Sequence, residues 1–537
     1  NLGENELTVI PDVSKNIKLE VLILDDNNIE IFVENITALP KSLKEIVLLG
    51  NKIKFIPDRL FDLPNLERIS LSKNELTRFP NFYNPGKIEF ISVDQNKIQQ
   101  ISYTSLQVFF RNNSQLKHLN LSNNEITYVA PNALSNLIHL KILELHDNDI
   151  STIDVQVFYK IPQLCHLDLR GNQLEVITTL GYTPVFEDLP NLKALVLTGQ
   201  DPKTQAIMYN AFRKLPMLEH LWLDNNDLQH FPNPAFSQEE WPSIKELHIE
   251  RNRITSLTSY SKTDFPPDMR VLWASRKGTN RPFAQMKSLR KLMVHENNID
   301  KVEEEDLWEL NNLQELYLSK NHLTENAIHP EAFRNTSVWK LHLDDMTAIG
   351  IQYVPAAMLI KSRLPIVTEI DLSSNKLTFL LNGSFSALDS LTNLKLSSNS
   401  IVSAETGTFP NSISTINLNN NEFNFRHSDV FANLPSLRNL YLTNNKIRFL
   451  PEDAFDGLIN LQTLFLRHNT IGRILRSTFK DLQKLSSLDV SNNELSYIEE
   501  GTFTSLDRSG SVAFYFGSNH LTLLPAEGDF DGLSISI

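Results

Sequence analysis

The sequence predicts an α/β solenoid, a horseshoe of 22 coils with a concave parallel β-sheet and an irregular or 3-10 convex side. Two observations predict it. The pattern Leu-x-x-Leu-x-Leu-x-x-Asn-x-Leu recurs along almost all 537 residues, and a phenylalanine returns at a similar place in most copies. Clean copies are Leu66, Ile69, Leu71, Asn74, Leu76; Leu140, Leu143, Leu145, Asn148, Ile150; and Leu437, Leu440, Leu442, Asn445, Ile447. The Asn column, from Asn5 to Asn519, is kept in 19 of 22 copies, the exceptions being Gln200, Lys277 and Met346. The mean period is near 24 residues, in the range of solenoid repeats.

Each copy supplies one short strand. The two inner Leu of Leu-x-Leu point into the core and the residue between them points out, the alternation of a strand. The Asn side chain carries an acceptor and two donors, so buried at the turn it satisfies backbone groups of its own coil and its neighbour. The second marker is Phe61, Phe158, Phe212, Phe236, Phe333, Phe385, Phe431, Phe455, Phe479 and Phe503. Stacked along the outer wall, these rings fill the wider side and bend the array. One coil cannot bury its own apolar face, so stability comes from neighbours and ends need caps. The chain reads as a single array over 1–537 with both caps missing, a segment of a longer protein. Irregular repeats fall near 175–215, 256–290 and 346–366.

This repeat resembles that of extracellular leucine-rich-repeat proteins of the 24-residue class, similar to chaoptin-like adhesion proteins, Toll-like receptor ectodomains and acid-labile-subunit-like secreted proteins. Cytosolic inhibitor-type repeats are longer, helix-bearing and rich in Cys. The resemblance implies non-enzymatic protein–protein recognition by the ectodomain of a cell-surface receptor or adhesion protein. A secreted matrix or carrier protein and an intracellular scaffold are the alternatives. It also implies an extracellular or cell-surface location, which five Asn-x-Ser/Thr sequons at Asn35, Asn112, Asn120, Asn335 and Asn382 support. Asn120 is the weakest of these, because Asn-Leu-Ser is also what the repeat itself tends to write.

Composition narrows the partners. The formal charge of −14 argues against general nucleic-acid binding. No apolar run approaches the ~20 residues that span a bilayer, so membrane attachment is expected only through missing segments. Cysteine occurs once, as Cys165, so no disulfide forms within the chain. There is no His-Glu-x-x-His, no phosphate-binding glycine loop, no Gly-x-Ser-x-Gly and no Cys-x-x-Cys. Cys165 beside His166 makes a poor nucleophile–base pair, since adjacent strand residues face opposite ways. Asp25 and Asp26 belong to the ordinary turn of the repeat rather than to a calcium loop. No enzyme activity, cofactor or metal is expected.

A protein partner is expected on the concave face, whose central column is the x of each Leu-x-Leu. Its early members are small or polar, such as Ser70, Ser92 and Asn120. Six successive coils then present Trp222, His248, Trp273, Met293, Tyr317 and His342. Trp and Tyr are enriched at binding hot spots, although aromatics also favour strands and stack across a sheet. Arg290 and Lys291 flank the run. Residues 270–295 hold Arg270, Arg276, Lys277, Arg281, Lys287, Arg290 and Lys291 and no acid, followed by Asp300, Glu303, Glu304, Glu305, Asp306 and Glu309. Such a basic spot can steer an acidic protein, a sulfated glycan or a phospholipid headgroup; charge pairing between neighbouring coils is the structural alternative. Seven His fall on the same face, at His118, His146, His166, His220, His248, His295 and His342, and would link binding to pH. A smaller aromatic set is Tyr441, Phe465 and Tyr515.

Overall fold

The computed structural model describes residues 1–30, 39–57, 60–80, 87–102, 115–177, 185–186, 189–207, 211–212, 214–232, 243–257, 283, 286–308, 310–347, 350–506, 513–522 and, for the backbone, 534–536. Contacts divide the chain into two compact units, one mainly Asn1–Ile254 and the other mainly Arg290–Ile537.

In the first unit, three-residue parallel strands run from Val21–Ile23 through Glu45–Val47, Arg68–Ser70, Phe90–Ser92, His118–Asn120, Ile142–Glu144, His166–Asp168, Ala194–Val196 and His220–Trp222 to Glu246–His248. In the second, they run from Lys291–Met293 through Glu315–Tyr317, Lys340–His342, Glu369–Asp371, Asn393–Lys395, Thr415–Asn417, Asn439–Tyr441, Thr463–Phe465, Ser487–Asp489 and Ala513–Tyr515 to Ser534–Ser536. Register is strict, middle residue beside middle residue, as with Leu221 and Leu247. The middle residue is buried and the two flanking it face outward. Most strands therefore present two outward columns, not one.

The Asn column works as a ladder. Asn74 Oδ1 accepts the Ile53 amide at 3.0 Å, and its Nδ2 donates to Leu48 O of the preceding coil at 2.8 Å and to Leu71 O and Ser72 O of its own. Gln200 does the same work, accepting from Leu174 N at 3.1 Å and donating to Leu169 O at 3.0 Å. Met346 is buried and makes no ladder bond; the next residue, Thr347, donates its amide to Asn321 O of the preceding coil at 2.9 Å. Lys277 lies outside the described residues. The residue just before the ladder Asn takes a left-handed backbone, with φ of 52° at Lys73, 54° at Asp147, 53° at Lys320 and 55° at His468. That conformation costs an L-residue roughly 1–2 kcal/mol; the bonded Asn that follows holds it there.

The outer wall carries the expected rings. Phe158, Phe186 and Phe212 stack at 6.0 Å steps, and Phe455, Phe479 and Phe503 at 6.1 and 6.0 Å. Phe61, Phe333, Phe385 and Phe431 are buried too, and Phe236 lies outside the described residues. Between strand and ring the coil is built of turns, such as Leu137 N donating to Leu134 O at 2.9 Å. Short two-residue strands also occur, such as Gln100–Ile101 beside Tyr128–Val129. No helix forms among the described residues, and none is long and apolar enough to cross a membrane.

Candidate functional site

The two outward columns place aromatic and charged side chains side by side. On the first unit, Trp222 is stacked between His220 of its own strand and His248 of the next, centroids 5.6 and 5.4 Å away. Glu246 bridges the imidazoles, 3.3 Å from His220 Nδ1 and 3.7 Å from His248 Nε2, and Glu250 lies 3.5 Å from His248 Nδ1. Below them the Lys245 ammonium, at 2.7 Å, holds the Glu219 carboxyl below its ordinary range. Asp224 shifts the other way. Burial, with repulsion from Glu250, raises its pKa, although the Thr198 hydroxyl donates to it at 2.6 Å.

On the second unit, Tyr317 stacks on His342 with centroids 4.6 Å apart, and Met293 is its register neighbour on the other side. The Lys291 and Lys340 ammonium groups lie 5.5 and 5.7 Å from the Tyr317 ring centre, within cation–π reach. The phenol donates to Glu315 at 2.7 Å, and burial together with that carboxylate pushes its pKa far above the ordinary tyrosine value. Further along, Lys395 sits 2.8 Å from Glu369 and 3.5 Å from Asp371. Burial opposes ionisation of Glu369, yet the Lys395 ammonium, with Lys340 and His342, holds its pKa below the ordinary value. Asp344 behaves likewise: burial raises its pKa, while the neighbouring His342 imidazole and the Ser319 hydroxyl lower it, with lowering the net result.

The expected run of six thus divides into Trp222 and His248 on one unit and Met293, Tyr317 and His342 on the other; Trp273 lies outside the described residues. Arg290 is exposed and Lys291 faces Tyr317, whereas Arg270, Arg276, Lys277 and Arg281, with Glu309, lie outside the described residues. Reading a single column hid the acids Glu246, Glu315 and Glu369, which open their strands and give both groups a mixed rather than basic character. It also treated Ser92, Asp168 and Asp371 as free surface; all three are buried, and Ser92 donates to Asp94. Of the other sheet histidines, His118 Nε2 lies 3.3 Å from Glu144 and His146 Nδ1 2.8 Å from Asp147. The His118 imidazole beside it holds the Glu144 carboxyl below its ordinary value.

Cys165 points its thiol at Lys141 O, 3.2 Å away, rather than at His166. Among the sequons, Asn335 and Asn382 are exposed. Asn120 is half-buried, its Oδ1 accepting both the amide and the hydroxyl of Ser122. Asn35 and Asn112 lie outside the described residues, as does most of 256–290. A polar hollow of about 550 Å³ lined by Thr392, Asn393, Ser414, Thr415 and Arg438 contains no acid, imidazole or thiol. Among the described residues one group, His342, Asp344 and Asp371, brings an imidazole nitrogen and two carboxylate oxygens within 4.8 Å of one another.

Comparison with known proteins agrees with this architecture. The leucine rich repeat family pattern matches residues 41–98, 104–150, 138–201, 279–323, 360–409, 411–471 and 459–509, and a second leucine rich repeat pattern matches 312–336. Osteomodulin of Bos taurus is 28% identical over 314 residues, covering 53% of this chain and 70% of that protein. Podocan of Mus musculus is 26% identical over 283 residues, 45% of this chain and 46% of that protein. Among solved structures, the Drosophila Toll–Spatzle complex superposes with a TM-score of 0.63 at 16% identity, covering 96% of this chain and 65% of that one.

Proposed function

This chain belongs to the leucine-rich-repeat family, and from that membership we propose that it is a secreted, matrix-type binding protein that holds a protein partner on its sheet face. Non-enzymatic binding rests on the family and on relatives such as osteomodulin. The choice of compartment rests on osteomodulin and podocan, which are small leucine-rich proteoglycans of the extracellular matrix. The receptor or adhesion reading draws on the Toll ectodomain, but at 16% identity that likeness is one of fold.

The observation that carries the binding reading is the pair of stacks, Trp222 with His248 and Tyr317 with His342, on columns that the core does not use. Buried Trp and Tyr anchors typically cost 2 kcal/mol or more when cut to Ala, about thirtyfold in affinity. The test is to immobilise the full chain against a panel of purified extracellular-matrix proteins and compare Trp222→Ala and Tyr317→Ala with Val47→Ala and Ser70→Ala. Loss in either aromatic variant with unchanged melting supports the reading. A bound matrix protein indifferent to both aromatic changes places recognition elsewhere, and then the irregular coils near Gln200 and Met346 are next.

A further inference from the structure

We propose that His342, Asp344 and Asp371 form a site for a divalent transition-metal ion of the zinc class. His342 Nδ1 lies 3.4 Å from Asp344 Oδ1 and 3.9 Å from Asp371 Oδ2. Both are longer than the 2.7–3.2 Å of an ordinary N–H···O bond. Ligands about 2.1 Å from a tetrahedral centre lie about 3.4 Å from each other; the first distance matches that spacing and the second exceeds it by 0.5 Å. Small side-chain movements close the remaining gap.

A second observation is independent of that spacing. Nε2 of the same imidazole is buried and without a hydrogen-bond partner, in a side chain only 14% exposed. Glu369 Oε1 lies 3.8 Å from it. Metal-bound histidines commonly direct their second nitrogen at a carboxylate, which fixes the ring and strengthens the ligand. Ser319 donates its hydroxyl to Asp344 and the Ser373 amide donates to Asp371 at 3.0 Å, so both ligand carboxylates are also held. The spot already attracts a cation: the Lys395 ammonium stands 3.5 Å from Asp371, but closer, at 2.8 Å, to Glu369. An arriving ion would leave it there.

The donor set selects the class of ion. An imidazole with two carboxylates suits zinc and its neighbours, whereas calcium takes six to eight oxygens. Three protein ligands leave a position open to water or to a partner's side chain. The sequence hid the site because its ligands come from two coils, and each contributes only a residue type common on this face.

The experiment is titration of the metal-free full chain with Zn²⁺ by calorimetry, and with Co²⁺ by visible absorbance, alongside the melting temperature of each variant. One equivalent is expected to bind, with a cobalt band of tetrahedral intensity. His342→Ala and Asp371→Asn should weaken it more than about tenfold, and His166→Ala should leave it in place. Lys395→Met should tighten it, since a positive charge 3.5 Å from Asp371 that repels the ion is removed, which a purely structural salt-bridge cluster would not do. Absence of stoichiometric binding to the unaltered chain overturns the proposal. So does binding that survives both His342→Ala and Asp371→Asn, or that Lys395→Met weakens.

Discussion

Tyr317 and His342 lie face to face on neighbouring strands, centroids 4.6 Å apart and planes 20° from parallel. The tyrosine is pinned at its far end by the 2.7 Å bond from its hydroxyl to Glu315. A ring held on one face and at its tip has little rotamer freedom left to lose. A partner docking on it therefore avoids much of the usual 0.5–1.5 kcal/mol for immobilising a side chain. Trp222, stacked on His220 and His248, is held on comparable terms.

Loss of a ladder side chain should be costly. Asn445 accepts the Phe423 amide at 2.9 Å and donates to Leu418 O at 2.9 Å and Leu442 O at 3.1 Å. Asn445→Ala leaves a buried donor without an acceptor, worth about 1–3 kcal/mol. Denaturant unfolding should show that drop, while Tyr441→Ala, outward-facing on the same coil, should lower the midpoint far less. Equal effects would mean that the ladder bonds add nothing beyond ordinary packing.

Asp224 should be a small liability at neutral pH. Its folded pKa lies above the ordinary 3.8 because of burial and of Glu250, so its unfavourable contribution is present above that folded value and disappears as pH falls toward 3.8. Asp224→Asn keeps an oxygen for the Thr198 hydroxyl and removes the charge. A gain of about 0.5 kcal/mol, the low end for charge optimisation, is expected at pH 7 and none in strong acid. A variant less stable than the parent at pH 7 contradicts the assignment.

The Glu369–Lys395 pair sets a pH plateau. The glutamate is depressed from 4.5 and the lysine raised from 10.5. A depressed acid contributes stability fully above 4.5 and loses it as pH falls through its folded value; a raised base contributes fully below 10.5 and loses it as pH rises through its own. Melting followed from pH 7 downward should therefore fall more steeply in the parent than in Glu369→Gln. Parallel acid limbs would remove the pair from the account.

Glycan occupancy tests the compartment. Asn335 and Asn382 are exposed sequon residues, so protein made in a secretory host should lose mass on glycosidase treatment. Asn335→Gln with Asn382→Gln should remove a large part of that shift. An unmodified chain from such a host would argue for an intracellular setting.

The solenoid was legible because a single requirement recurs at each turn: one buried side chain must both give and accept hydrogen bonds, and Asn does so within a fixed Leu frame. Gln200 stood as an exception to the column, yet its side-chain amide carries the same donor and acceptor and makes the same bonds. The left-handed residue ahead of each ladder Asn was not legible. Lys73, Asp147, Lys320 and His468 share no side-chain property; their conformation is imposed by the turn. Phe186 was missed because its coil is irregular in length, although its ring continues the stack between Phe158 and Phe212. At the candidate site, Trp222 and Tyr317 stood out by size. Glu246, Glu315 and Glu369 did not, since their significance lies in neighbours about one coil away, and acids on a sheet surface are ordinary.

The Asn ladder also has a direction. Asn74 reaches back to Ile53 and Leu48, and Asn445 back to Phe423 and Leu418; both tie their coil to the preceding one. A coil leaving the ribosome thus meets acceptors and donors that are already in place, for Asn74 the Leu48 carbonyl and the Ile53 amide. Synthesis from the N-terminus delivers domains in that order. The polarity of one side chain therefore suits this array to growth at its trailing end, each new turn docking on the one made before it.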